Sequence, residues 1–353
     1  MSGTQAPRAW GPRLRVAIGW PIALAGLVWV LHDVRPAGLA ATFVRVKWAW
    51  VIVALLLDVM SYAAQGLRWR LLLWPSGLSP LRATQAVYAG LFTNEIMPLR
   101  LGELVRTWLV ARWTGRDFAS VLASIGVERL FDGLWLVLMI GISATIVPLP
   151  RGLLTAADVI GGVVIAGALL FVWRAWRRHP VSRSPRALVG GGVPGIVRRF
   201  IARLDSGARS MAFSGTFFAA LVASSLILIL QMGSFWLLMP AFGISLSPVA
   251  GAVVFLIVHV GTALPNAPSN VGTYQLFSVI GLQLFGVDKT LAAAFSIGAF
   301  LLLTMPLWLI GFVALARSGA TLATIRADLA RRSDRADVRA GEGPDTGSWR
   351  CRT

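Results

Sequence analysis

Apolar runs long enough to cross a bilayer, set beside two apolar stretches that a proline interrupts at mid-depth, constrain this chain more than any other feature. A spanning helix needs about 20 mostly apolar residues. Runs of that kind lie at residues 14–31, 48–73, 119–147, 155–173, 211–239 and 290–316, which makes about six full spans. Two further apolar segments, 83–97 and 99–113, are each too short to cross and are joined by Pro98, which disfavours helix in the residue before it. The stretch 248–285 has the same form and is broken at its centre by "LPNAPSNVG". Non-helical backbone at that depth persists only where protein buries it or water reaches it. The expected fold is therefore all-α and polytopic, with about six spans and two re-entrant helical hairpins.

Charge decides between a membrane and a nucleic acid as the basic chain's partner. The formal net charge is +18, yet 56% of the residues are hydrophobic and only 14% charged, with a mean hydropathy of +0.72. The arginines concentrate between and after the apolar runs, where the positive-inside rule puts them, so no nucleic-acid partner is expected. Arg8, Arg13 and Arg15 precede the first run, which exceeds a signal-peptide core in length and reads as an uncleaved first span, with a cleaved signal as the alternative. The only cysteine, Cys351, lies in the polar tail, leaving no disulfide framework and no thiolate metal site. No metal spacing, nucleophile elbow or nucleotide phosphate loop occurs, so no cofactor, no metal and no catalytic residue is expected.

The two halves resemble one another. "SPLRATQAVYAGLFTNEIMPLRLGE" runs beside "SPVAGAVVFLIVHVGTALPNAPSNVGT", and Pro98 to Gly102 has the spacing of Pro268 to Gly272. Ser124-Ile125-Gly126 then stands opposite Ser296-Ile297-Gly298, and upstream "QGLRWRLLLWP" matches "QMGSFWLLMP". Ordered self-similarity of this kind marks an internal repeat, here about 48–147 and 211–316 of a membrane domain covering 1–316. A basic linker at 174–210 and a polar, disordered tail at 317–353 fall on the cytoplasmic side with the N-terminus. Counting spans, the two repeats enter the membrane in opposite directions, which is a transporter design with its site where the broken helices meet.

The charged residues inside this frame are the candidate site. Glu95, Arg100, Glu103, Arg106, Glu128, Arg129 and Asp132 lie within or beside apolar segments, and an isolated charge at membrane depth costs several kcal/mol. Guanidinium groups bind phosphate through a planar fork, so Arg100, Arg106 and Arg129 are candidates for a lipid head group, with Asn94 beside them and Glu103, Glu128 and Asp132 orienting them or carrying a coupling proton. The competing reading is a set of buried ion pairs that lock hairpin to bundle without a ligand. Pro98, Gly102, Pro265, Pro268, Asn270, Gly272 and Gln275 shape the two breaks. Asp58, Gln65 and Arg68 extend the polar interior on one reading, but Arg68 and Arg70 lie near a span end, which favours snorkelling to the interface. His259 reads as a satisfied interior histidine, and the fifteen tryptophans read mainly as an interfacial belt.

The pattern N-x-x-x-P-x-R-x-G-E-x-x-R from Asn94 to Arg106, the later "VERLFD" and the segment "LPNAPSNVGTYQ" resemble the flippase-like transmembrane region of lysylphosphatidylglycerol synthases and its stand-alone relatives. That resemblance implies a bacterial inner-membrane protein that translocates or binds an anionic lipid: a phospholipid, an aminoacyl-phospholipid or a polyprenyl-phosphate derivative. Two departures qualify it. Gln275 stands where many relatives carry a glutamate, and no segment the size of the synthases' soluble aminoacyl-transferase domain follows Ala316. Lipid handling without synthase activity is the expectation, with an accessory protein that presents a lipid-linked intermediate to a lipid-modifying membrane enzyme as the alternative.

Overall fold

A computed structural model of the chain describes residues 21, 24–32, 34–97, 101–149, 151–176, 202–203, 206–207, 210–211, 213–263 and 268–319. Regular structure among them is helical, with no strand. The helices are α1 Leu24–Leu31, α2 Pro36–Val44, α3 Trp48–Leu72, α4 Pro80–Ile96, α5 Gly102–Thr114, α6 Phe118–Ile146, α7 Arg151–Trp176, α8 Gly215–Leu238, α9 Pro248–Ala263, α10 Thr273–Gln283 and α11 Lys289–Arg317.

Four helical segments are long and apolar enough to cross a membrane: Trp48–Leu72, Arg151–Trp173, Gly215–Phe242 and Lys289–Arg317. The chain is a multi-pass membrane protein. Leu56 and Met60 on α3, Val163 and Leu169 on α7, and Leu309 and Phe312 on α11 are exposed, as lipid-facing side chains are, because there is no gain in hiding an apolar group from hydrocarbon. Of the two other expected spans, 14–31 is described mainly by α1, which bends sharply into α2. The second, 119–147, is α6, which has the length at 29 residues but carries Glu128, Arg129 and Asp132.

The two proline-interrupted stretches form helical pairs, as their lengths predict. At 17 and 13 residues, α4 and α5 rise only about 25 and 20 Å, and they pack against each other. The second pair, α9 and α10, is separated by a 3-10 turn at Pro268–Asn270, in which Ser269 and Asn270 have φ of 58° and 54°. Gly272 follows at φ 81°, in a region open to glycine and strained for side chains with a Cβ. Its N–H donates to Oε1 of Gln275 at 2.7 Å, so the amide of Gln275 caps the first turn of α10. Pro98 and Pro265 lie outside the described residues.

Local signals start these elements where they are needed. Ser79-Pro80 and Ser247-Pro248 open α4 and α9: each serine hydroxyl accepts an amide N–H of the first turn, from Arg82 at 3.3 Å and Ala250 at 3.2 Å, and proline needs no such partner. Asp117 and Asp288 open α6 and α11 in the same way, each carboxylate accepting two N–H groups. Each half thus runs long helix, broken pair, long helix. In the assembled bundle α3 lies along α8, α4 packs on α11, and α9 packs on α6. Within the basic linker, Arg203 pairs with Asp117 at 2.9 Å; most of 174–210 and all of 320–353 lie outside the described residues.

The α4–α5 pair closes on its glycines. A Cβ at Gly102 would strike the carbonyl oxygen of Gly90 and come within 2.7 Å of Oδ1 of Asn94. Backbone cannot swing aside as a flexible side chain does, so overpacking here should cost about 1–3 kcal/mol. Gly102→Ala should lower the detergent melting temperature measurably, whereas alanine at Gly141, whose Cβ would meet nothing within 4 Å, should leave it near wild type.

Candidate functional site

The charges of the opening motif and of "VERLFD" assemble into one network. Arg106, on α5, donates to Oε2 of Glu128 on α6 at 2.9 Å. On the other side of Glu128, Arg68 of α3 approaches Oε1 at 3.3 Å, an electrostatic contact, while its Nη1 bonds both Asp132 and the hydroxyl of Ser224, the latter at 3.0 Å. Asp132 also faces Arg129 at 3.6 Å, and Arg129 donates to Glu103 of α5. Three guanidinium groups thus meet three carboxylates, and the formal charges cancel. The guanidinium of Arg106 further lies 4.8 Å from the ring centre of Trp69, whose indole N–H donates to Ser124 at 2.8 Å.

The network is sealed at one end and open at the other. Arg68 and Glu128 are 3% and 1% exposed, whereas Arg129 is 58% exposed, with Glu103 and Asp132 about one-third exposed. In the sealed part every guanidinium is matched to a carboxylate, which is the ion-pair lock. The open part keeps an accessible guanidinium edge. Arg100 lies outside the described residues. Asn94 joins neither part directly; its Oδ1 accepts the N–H of Gly102 at 2.7 Å and so ties the end of α4 to the start of α5.

Arg68 overturns its expectation. Proximity to a span end predicts snorkelling, yet its side chain is buried between Glu128, Asp132 and Ser224. Turn spacing explains the difference: Arg68 and Trp69 face the α6 charges across the bundle, while Arg70 behaves as expected, donating to the Leu78 carbonyl at 3.1 Å and lying against Trp74. The partner of Arg68 on α8, Ser224, carried no signal in the sequence, since a serine among apolar residues of a span is unremarkable until its neighbour is known.

A second polar feature lies between the two broken pairs. A cavity of about 220 Å³ is walled by Asp58 and Tyr62 from α3, Glu95 at the end of α4, Gln231 from α8, His259 from α9, Ser269 and Asn270 from the 3-10 turn, Tyr274 from α10 and Thr304 from α11. Its remaining walls include Phe235, Phe255 and Phe300. The hydroxyl of Ser269 donates to the backbone carbonyl of Glu95 at 2.9 Å, so the break of the second pair is bonded to the tip of the first. Glu95 thus lines the cavity, and His259, expected only as a satisfied interior residue, stacks on Phe255 at the cavity wall. Of the residues expected to shape the second break, Asn270 reaches the cavity, while Gly272 and Gln275 form the helix start described above. No group of three His, Cys, Asp or Glu suited to a metal occurs among the described residues.

The lysylphosphatidylglycerol synthase TM region family model matches residues 14–311, which include both the ion network and the cavity. The chain belongs to this family. It is 23% identical over 294 residues to a UPF0104 membrane protein of Methanothermobacter thermautotrophicus, covering 78% of this chain and 84% of that protein. It is also 25% identical over 339 residues to the glycosyltransferase AglD of Haloferax volcanii, covering 83% of this chain and 54% of that protein, so the chain spans about half of AglD's length. No solved structure matches it significantly.

The burial gradient makes the two ends of the network separable. Glu128→Gln leaves Arg68 and Arg106 sharing a neutral amide in the sealed part, and losing one partner of a buried pair typically costs about 3–5 kcal/mol. Glu103→Gln touches an exposed pair, for which about 0–1 kcal/mol is usual. Thermal unfolding in detergent should show a large loss for the first and near-wild-type behaviour for the second.

Proposed function

We propose that the chain binds and translocates an anionic lipid, with its two halves acting as inverted repeats that move against each other around the cavity. One observation carries this reading: the Ser269 to Glu95 bond brings both broken helical pairs to the wall of a single cavity, as the broken elements of inverted-repeat transporters meet where the two repeats move against each other. Further support for the repeat comes from paired details. Ser79 and Ser247 cap the first helix of each pair, and Asp117 and Asp288 cap the long helix that follows. The packing is reciprocal as well, with each half's first broken helix resting on the other half's last long helix.

The head group is assigned to the open edge of the ion network. Arg129 has an exposed guanidinium, and Arg100 follows Asn94 in the same motif, so a phosphate there meets forked donors without dismantling the sealed pairs. Glu103 and Asp132 orient Arg129, while Glu128 holds Arg106 and Arg68 in place. The cavity suits an anion poorly, because its described walls hold two carboxylates and no lysine or arginine. The family resemblance supports a bacterial inner membrane, and the distribution of arginines supports termini on the cytoplasmic side.

The match to a glycosyltransferase over about half of its length favours one second reading, an accessory protein that presents a lipid-linked intermediate to a separate membrane enzyme. Reconstitution separates the two. Purified chain in liposomes should accelerate leaflet exchange of a labelled anionic phospholipid over protein-free vesicles, and Arg129→Lys, which keeps charge but loses the fork, should slow it by about tenfold, the equivalent of one charge-assisted hydrogen bond. Lipid that binds without exchanging favours the accessory role. In oriented vesicles, with Cys351 replaced, cysteines at Ser79 and Ser247 should label from opposite sides; labelling from one side removes the inverted repeat.

A further inference from the structure

Asp58 is a buried carboxylate of the bundle interior that the ion network leaves unused. It lies ten residues into α3, about 15 Å along a helix of 25 residues, and so falls near the middle of that span. Its side chain lines the cavity, is 6% exposed, and has an Oδ2 atom without a hydrogen-bond partner among the described residues. Of the two arginines on the same helix, Arg68 is committed to Glu128 and Asp132 and Arg70 bonds the Leu78 carbonyl. None of the described cavity residues is a lysine or arginine, so among the described residues Asp58 has no guanidinium partner of the kind that each acid of the network has. An acidic side chain at such depth is expensive to ionise and marks function by default.

We infer that Asp58 is a proton-binding site whose loading and release accompany movement of the two broken pairs around the cavity. The inference rests on the transport reading above and supplies its driving ion. The step is simple to balance. An Asp58 carboxylate oxygen takes H⁺ from hydronium in cavity water, leaving a neutral acid and a water molecule, and the reverse transfer returns the proton to water when the cavity opens on the other side. Neutralising the acid removes the penalty for closing the cavity around it, and ionising it requires water to return.

The groups that face Asp58 fit this role. Tyr62 lies one turn along α3, with its ring tilted against that of Tyr88 of α4 at a centroid separation of 5.4 Å; the Tyr88 hydroxyl lies 3.5 Å from the Val59 carbonyl. From the other elements come Glu95 of α4, His259 of α9 and Tyr274 of α10, while α8 and α11 contribute Gln231 and Thr304, which do not titrate. The neutral hydroxyls and amide can bond either protonation state, as a site that switches must allow. Because Glu95, His259 and Tyr274 come from the broken pairs and Asp58 from a continuous helix, relative motion changes the surroundings of Asp58 directly.

The test uses the full-length chain in proteoliposomes with a labelled anionic phospholipid, together with infrared difference spectra of the purified protein across a pH series. Wild-type exchange should respond to an imposed pH difference, changing by up to about tenfold per pH unit, as the occupancy of one proton site does. Asp58→Asn keeps the shape and should give a flat profile, and the carbonyl band of a protonated carboxylic acid should vanish from its spectrum while persisting in Glu95→Gln. If Asp58→Asn fails to fold, Asp58→Glu should restore folding with the profile displaced along the pH axis. An unchanged pH response or an unchanged band in Asp58→Asn overturns the inference, as does dependence on sodium in place of protons. Exchange that is rapid but independent of pH overturns it while leaving the transport reading intact; a titrating Asp58 band without any lipid exchange removes the transport reading and the coupling role with it, leaving Asp58 as a proton-binding group only.

Discussion

The interaction on which the bundle depends is the pairing of Glu128 with two arginines from two different elements. Glu128 is 1% exposed and lies between Arg68 of α3 and Arg106 of α5. It thereby ties a continuous helix, a short broken helix and its own helix α6 together where apolar contact alone gives little preference for one partner over another. Each short helix can stay at membrane depth only because its polar groups are met by protein. The Gly102 N–H bonded to Asn94 and the Gly272 N–H bonded to Gln275 meet the same demand at the two breaks.

That demand divides the charged residues into two populations. In the network every acid has a guanidinium and the arrangement is balanced, which favours rigidity. In the cavity, acids and neutral hydroxyls gather without lysine or arginine among the described walls, which favours change of state. The exposed edge at Arg129 lies at the border of the first population, so a head group held there leaves the lock intact. On the proposed function, head-group binding falls to the edge of the network and the change of state to the cavity.

Much of this is legible in the sequence itself. Run lengths and two prolines marked the broken pairs within a few residues of their observed bounds, because the length needed to cross a bilayer is a hard constraint. The membership of Glu103, Arg106, Glu128, Arg129 and Asp132 in one cluster was legible from the cost of isolating them. Which residue completes it was not: Arg68 sits near the end of α3, and only the packing of that helix against α6 and α8 turns it inward. The same applies to Trp69, which belongs under Arg106 and not in an interfacial belt. The cavity was illegible for a further reason, since Asp58, His259 and Tyr274 are far apart in sequence and meet only through the reciprocal packing of the two halves.

The central claim is that one cavity, formed where the two broken pairs meet, serves both faces of the membrane in turn. Thr304 lines it from a continuous helix and offers a direct probe. With Cys351 replaced, a single cysteine at Thr304 can be challenged with a membrane-impermeant thiol reagent applied separately to each side of oriented vesicles. The account predicts labelling from either side, at rates that respond in opposite directions when lipid or pH biases the equilibrium. Labelling from one side only, under every condition, would contradict it.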